Sequence, residues 1–191
     1  MVEHRQLYFR AADLDYPVIE KAARDRNGEK LKLKDSLPEG EPSEVILTWG
    51  FSSEPPDLLN TLSQHLYISE RARRTWGLEN GPAYELVPVR LTDRSGKKFL
   101  DATYWWVKIR TRVAILDEEK SQGKKMGPIY HEIDRFAVNW ANVPDIDIFL
   151  CDMTVSAVFS ERLVAVAKEA GLTGALFREV DGGRWPPRSL Q

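Results

Sequence analysis

Two serines occupy matching places in the chain, in Ser69-Glu70-Arg71 and in Ser160-Glu161-Arg162. A hydroxyl beside an acid and a base is raw material for nucleophilic catalysis, but that chemistry needs a strained turn such as Gly-x-Ser-x-Gly, and neither serine has one. Both open a helical pattern with a carboxylate just inside it, so both read as helix N-caps. Cys151 ends the apolar run Ile148-Phe149-Leu150-Cys151, which predicts a buried, unreactive thiol. Of His4, His65 and His131, only the last has carboxylates beside it, in His131-Glu132-Ile133-Asp134. On a strand Glu132 and Asp134 face away from His131, so no metal site is expected there. Gly171-Leu172-Thr173-Gly174 follows a helical pattern, whereas a phosphate cradle must precede one. The expectation is a chain with no catalytic residue, no metal and no cofactor.

The remaining candidates are for recognition. In the run from Lys97 to Arg110, Trp105, Val107 and Ile109 alternate toward an expected core. Tyr104, Trp106, Lys108 and Arg110 fall on the other face, expected to be amphipathic and half-exposed. Trp106 with Tyr104 beside it is therefore a candidate interface anchor. The acidic run Asp117-Glu118-Glu119 reads mainly as a solvated loop surface and secondarily as a protein-contact patch. Arg71, Arg73 and Arg74 with Lys97 and Lys98 form a modest basic area balanced by acids. Two rival readings use the same residues: a small-molecule or peptide module with Trp106 lining a cleft, and an enzyme joining His131 to Glu132 or Asp117.

These side chains need a scaffold, and much of it is written twice. Pro55 to Leu78 and Asp145 to Leu172 each run from an acidic-apolar segment through Ser-Glu-Arg to Gly-Leu. Gly77 and Gly171 stand where each helix must turn left-handed to leave. Ala72 and Trp76 share an inward face of the first helix; Leu163, Val166, Ala167 and Ala170 form that of the second. Strands are expected at Gln6–Arg10, Leu31–Leu33, Glu44–Trp49, Ile129–Phe136 and Leu176–Val180, and a hairpin over Tyr84–Arg110 turns at Thr92–Gly96. Pro88 cannot donate to a ladder and belongs at an edge or bulge. Lys21–Glu44 and Glu118–Lys125 read as charged loops, and Asp181–Gln191 as a mobile tail. The class is α+β, mostly antiparallel sheets with a few short helices and two pseudo-repeated strand-helix-strand segments. One domain spans 1–191, with a core at 45–180 and candidate subdomains 1–117 and 118–191.

Composition narrows the partners. A chain of 191 residues, 42% hydrophobic and 10% aromatic, can bury a core of its own. Its formal charge of −2 removes the electrostatic case for nucleic acid or a polybasic membrane contact. A charged N-terminus and a single cysteine point to the cytoplasm. No apolar run approaches the roughly 18 to 20 residues that span a bilayer.

A family pattern runs through these elements. An Asp-Leu-Leu or Asp-Ile-Phe run leads to Tyr67-Ile68-Ser69-Glu70-Arg71, then Tyr84-Glu85-Leu86-Val87-Pro88-Val89, Tyr104-Trp105-Trp106-Val107 and Ala114-Ile115-Leu116-Asp117 with Ser121. It closes on Val158-Phe159-Ser160-Glu161-Arg162-Leu163 and Gly171-Leu172-Thr173-Gly174-Ala175-Leu176-Phe177. In order and spacing, from about Val45 to Val180, this resembles immunity protein family eleven of bacterial polymorphic toxin systems, a former domain of unknown function of the myxobacterial immunity protein type. The resemblance implies a cytoplasmic protein, not an enzyme, that binds one cognate toxin domain and blocks it. On that implication Tyr104, Trp106, Asp117, Glu118 and Glu119 are the candidate toxin contacts. The family pattern marks no contact residue itself, and oligomeric state stays open.

Overall fold

The computed structural model describes residues 6–12, 18–19, 45–49, 51, 53–61, 65–93, 95, 98–127, 129–154 and 156–186. The expected strand at Leu31–Leu33 and the loop over Lys21–Glu44 lie outside them. The described chain is mostly β with two α-helices. Its strands are β1 (Leu7–Ala12), β2 (Val18–Ile19), β3 (Val45–Thr48), β4 (Leu58–Thr61), β5 (Leu66–Ser69), β6 (Tyr84–Thr92), β7 (Phe99–Ile109), β8 (Arg112–Val113), β9 (Gln122–Met126), β10 (Ile129–Arg135), β11 (Ile148–Cys151), β12 (Ser156–Ser160) and β13 (Ala175–Glu179); the helices are α1 (Glu70–Trp76) and α2 (Glu161–Glu169).

A mixed six-stranded sheet has the order β2-β4-β5-β7-β6-β3, a mixed five-stranded sheet the order β13-β1-β12-β11-β8, and β9 and β10 form a separate antiparallel hairpin. Each helix carries the chain from one strand to another two places along its sheet. α1 runs from β5 over β7 to β6, and α2 from β12 over β1 to β13. The five-stranded sheet thus draws its strands from both ends of the chain.

Between the sheets lies a shared core. Tyr8, Ile148 and Phe159 from one sheet meet Leu58, Leu66, Ile68, Leu86 and Val107 from the other, around Ala72 and Trp76 of α1 and Leu163, Val164 and Ala167 of α2. Val164 joins this face where the helical spacing pointed to Ala170, because α2 also packs on β1. The far side of the five-stranded sheet buries Phe9, Phe149, Cys151 and Val158 against Tyr130, Ile133, Phe136 and Val138. Burial pushes the Cys151 thiol pKa up, away from nucleophilic use.

The far side of the six-stranded sheet overturns one expectation. Tyr104 and Trp106 are 3% and 5% exposed, packed with Tyr67, Val87, Val89 and Trp49 in a third cluster. Trp105, placed in the core from sequence, is half-buried beside α1. From Tyr104 to Val107 strand β7 is covered on both faces, so alternation could not separate inside from outside; the unbroken run Tyr104-Trp105-Trp106-Val107 was the available sign.

Three smaller differences have local causes. Gln122–Lys125 is strand rather than loop, because Gly123 lets the hairpin close: a Cβ there would stand 2.3 Å from the Glu132 carbonyl oxygen. The register shifts between Tyr130 and Glu132, so Tyr130 and Ile133 both point inward while His131 is exposed. The tail is held as far as Pro186: Ile133 and Trp185 exchange backbone bonds of 2.7 and 2.8 Å, and the Trp185 indole donates to Ser156 Oγ at 2.8 Å. Pro88, expected at an edge or bulge, lies instead inside the β6–β7 ladder opposite Trp105, one residue before the ladder that joins β6 to β3 begins.

Candidate functional site

The two Ser-Glu-Arg segments fold alike at atomic level. Ser69 Oγ accepts from the Ala72 N–H at 3.0 Å and Ser160 Oγ from the Leu163 N–H at 3.3 Å, which places both as N-caps. Each hydroxyl spends its proton on an aspartate twelve or thirteen residues upstream: Ser69 on Asp57 at 2.7 Å, Ser160 on Asp147 at 2.5 Å. The same aspartates take the arginine two residues past each serine, Arg71 at 2.7 Å and Arg162 through Nε at 3.1 Å. Their carbonyls accept the serine N–H groups at 2.7 and 2.9 Å. Each serine is thereby held as a helix cap, its hydroxyl shared between the helix N–H and the aspartate.

The two aspartates differ in surroundings. The Asp57 side chain is 9% exposed, and Oδ2 also accepts from the Thr173 N–H at 3.1 Å, while Arg71 reaches on to the carbonyls of Ala170 and Gly171. This fastens the start of α1 to the end of α2. The Asp147 side chain is 33% exposed. Burial works to raise its pKa, but hydrogen bonds from Arg162 and Ser160 hold it below the ordinary carboxylate range.

Beside Asp147 the surface opens into a groove of about 530 Å³ whose lining mixes apolar residues, Leu7, Val143, Pro144 and Ile146, with polar ones, Gln6, Asp145, Asp147, Ser160, Glu161 and Arg162. A 3-10 turn, Trp140–Asn142, leads into its wall and leaves Trp140 41% exposed. Sequence reading passed over this site. Its signals were the Asp-Ile-Asp run before β11 and a tryptophan between two asparagines, Asn139 and Asn142.

The five sequence candidates do not converge. Tyr104 is inside, its hydroxyl donating to the Pro56 carbonyl at 2.7 Å, and Trp106 stacks edge-on with His65 at 5.2 Å. Asp117 shapes its own turn, accepting from the N–H groups of Glu119 and Lys120 at 3.2 Å and from the Lys120 ammonium at 2.8 Å. That lysine holds the Asp117 pKa below its ordinary value. Glu118 pairs with Lys125, and both Glu118 and Glu119 are exposed. Glu132 and Asp134 both face Arg184 rather than His131. Among the described residues no group of three or more His, Cys, Asp or Glu side chains could hold a metal ion, and no helix is long and apolar enough to cross a membrane. Of the basic area, Arg73 and Arg74 close on Glu70 at 2.8 and 2.6 Å.

The model of the immunity protein family (Imm11) matches residues 20–182. The chain belongs to the Imm11 family. The match starts well before Val45, so the Imm11 unit takes in part of the N-terminal region that the sequence motifs did not place. It ends at Gly182, and both serine-capped helices lie within it, whereas the groove takes Gln6 and Leu7 from outside it. No curated protein matches the chain. Membership in Imm11 points to an immunity function, and immunity families are in general not enzymes.

Proposed function

We propose that this Imm11 protein binds a cognate bacterial toxin domain in the cytoplasm of the producing cell and neutralises it by protein-protein contact. The observation that carries the reading is the family match over residues 20–182. The architecture supports it in physical terms. Tight inhibition requires a surface that does not have to be ordered on binding, and both helix starts here are fixed by aspartate, serine and arginine together. On this reading the two hairpin-helix units are pseudo-repeated strand-helix-strand segments of one domain, and neither nucleic acid nor membrane is a partner. Tyr104 and Trp106 serve the surface from beneath, and Glu119 is the member of the acidic run with charge left to offer.

The test is co-expression with the large protein encoded beside this chain. A stable complex and loss of toxicity are expected; toxicity undiminished by the chain would remove the reading. The groove of about 530 Å³ supports a second reading, a small-molecule or peptide-binding module, since sites of that size bury most of a small ligand. A metabolite that raises the melting temperature strongly, with no effect on toxicity, would favour it.

A further inference from the structure

The groove beside Asp147 has a filled counterpart in the same molecule. Leu7 of β1 pairs with Ser160 of β12, and Tyr104 of β7 pairs with Ser69 of β5, both ladders being antiparallel. Ile148 pairs with Phe159 as Leu58 pairs with Ile68, so Asp147 and Asp57 hold matching places, with Ile146 and Pro56 one residue before them. The faces agree as well: Leu7 packs with Phe9 on the far side of one sheet, and Tyr104 with Trp106 on the far side of the other. On this register Gln6, Leu7, residues 145–147 and residues 160–162 of the groove lining correspond to Thr103, Tyr104, residues 55–57 and residues 69–71.

What differs is the filling. Beside Ser69 the Tyr104 side chain, 3% exposed, crosses from β7 to the chain before β4; its hydroxyl donates to the Pro56 carbonyl at 2.7 Å and lies 3.0 Å from the Pro55 carbonyl oxygen. Beside Ser160 the matching residue is Leu7, which has neither ring nor hydroxyl, and there the surface opens into about 530 Å³. Among the described residues the Ile146 carbonyl, counterpart of the Pro56 carbonyl, accepts no hydrogen bond. The chain itself thus supplies the pattern of what fits: a ring for the apolar lining residues Leu7, Val143, Pro144 and Ile146, and one O–H donor for a carbonyl. A phenol brings both, and being uncharged at neutral pH it enters without desolvating an ion. The volume admits such a ring together with the short segment that carries it.

Resting on the immunity reading, we propose that this groove receives a tyrosine side chain of the toxin, its ring against Leu7 and Ile146 and its hydroxyl donating to the Ile146 carbonyl, as Tyr104 does to Pro56. Leu7→Tyr offers the groove the same side chain from within. Its affinity for the inactivated toxin domain encoded beside this chain, by titration calorimetry, is expected to fall about 30-fold or more. Ala165→Tyr adds a ring at an exposed position of α2 and is expected to stay within about twofold. A folded Leu7→Tyr with unchanged affinity overturns the inference and leaves the immunity reading standing. Equal losses in the two variants do the same, since the effect would then not belong to the groove. The wild-type chain alone gives a second readout, which decides if Leu7→Tyr does not fold. N-acetyl-tyrosinamide is expected to shift the amide resonances of residues 145–147 and 160–162 saturably, and to bind about threefold or more tighter than N-acetyl-phenylalaninamide, which lacks the hydroxyl. No saturable shift there, or equal binding of the two amides, overturns the inference. A chain that binds the tyrosine amide in the groove but forms no complex with the toxin overturns the immunity reading, and with it the toxin as the source of the tyrosine.

Discussion

Asp57 and Asp147 do the same local work in different dielectric surroundings, and that difference sets what each is worth. Asp57 is buried and serves Ser69, Arg71 and Thr173 together. Removing it strands several donors with little water to replace it, so Asp57→Ala is expected to cost about 3 kcal/mol of unfolding free energy. Asp147 is a third exposed and serves Ser160 and Arg162; Asp147→Ala should cost nearer about 1 kcal/mol. Urea midpoints of the two variants give the comparison, and equal shifts would contradict it. Glu70 supplies a pH signature. Arg73 above all, with Arg74 and Trp105 assisting against burial, lowers its pKa from 4.5 to about 2. A depressed folded pKa means stability that is present above the unfolded value and lost as pH falls through the folded one. The stability gap between wild type and Glu70→Gln should therefore hold at neutral pH and close between about pH 4.5 and pH 2. A gap that stays constant over that range would show that the Arg73 hydrogen bonds do not set the Glu70 charge.

At the scale of elements, legibility followed locality. Both caps, both left-handed glycines and the Tyr84–Ile109 hairpin were readable because each depends on residues a few places apart. The Asp57 and Asp147 runs stood out in the sequence, since an aspartate stands at nearly the same offset before each serine, but nothing local showed that each aspartate would take the serine and the arginine. The groove and Trp140 were not readable, because they arise where β11, β12 and the 3-10 turn meet in space. Strand β9 was hidden by its lysines, which favour exposure and protect an open edge at once. Glycine illustrates the same division. Gly77 has φ 62° with open space around it, whereas Gly174 has φ 87° and its Cβ would fall 2.2 Å from the Leu58 carbonyl oxygen. Gly77→Ala therefore meets only the left-handed backbone penalty, about 1 kcal/mol. Gly174→Ala adds a collision with the β4 backbone, at the point where Leu58 N–H donates to the Thr173 carbonyl at 2.9 Å, and should cost about 3 kcal/mol or more. Similar melting temperatures for the two variants would show that β4 yields freely.

At the scale of the molecule, the two sheets share one core and are expected to open together. Strand β1 lies between β12 and β13, so the start of the chain completes a sheet made by its end. The Arg10 guanidinium leaves β1 and donates to the Leu59 carbonyl at 2.6 Å, and burial lowers its pKa to about 10. Trp76 of α1 donates through its indole to the Leu163 carbonyl of α2 at 3.1 Å. The central cluster takes side chains from both sheets and both helices, so parting the sheets exposes one apolar core rather than two. Cys151, the chain's single cysteine and fully buried behind the five-stranded sheet, is a probe for this. If the sheets unfold as one unit, the free energy of exposing its thiol, from labelling rates across urea concentrations, should equal the global unfolding free energy from circular dichroism. A subdomain boundary near residue 117 requires otherwise: Cys151 would become reactive at a lower free energy while the six-stranded sheet stayed folded. Equality is expected, because the central cluster takes side chains from both sheets and both helices, so losing either sheet uncovers the packing face of the other.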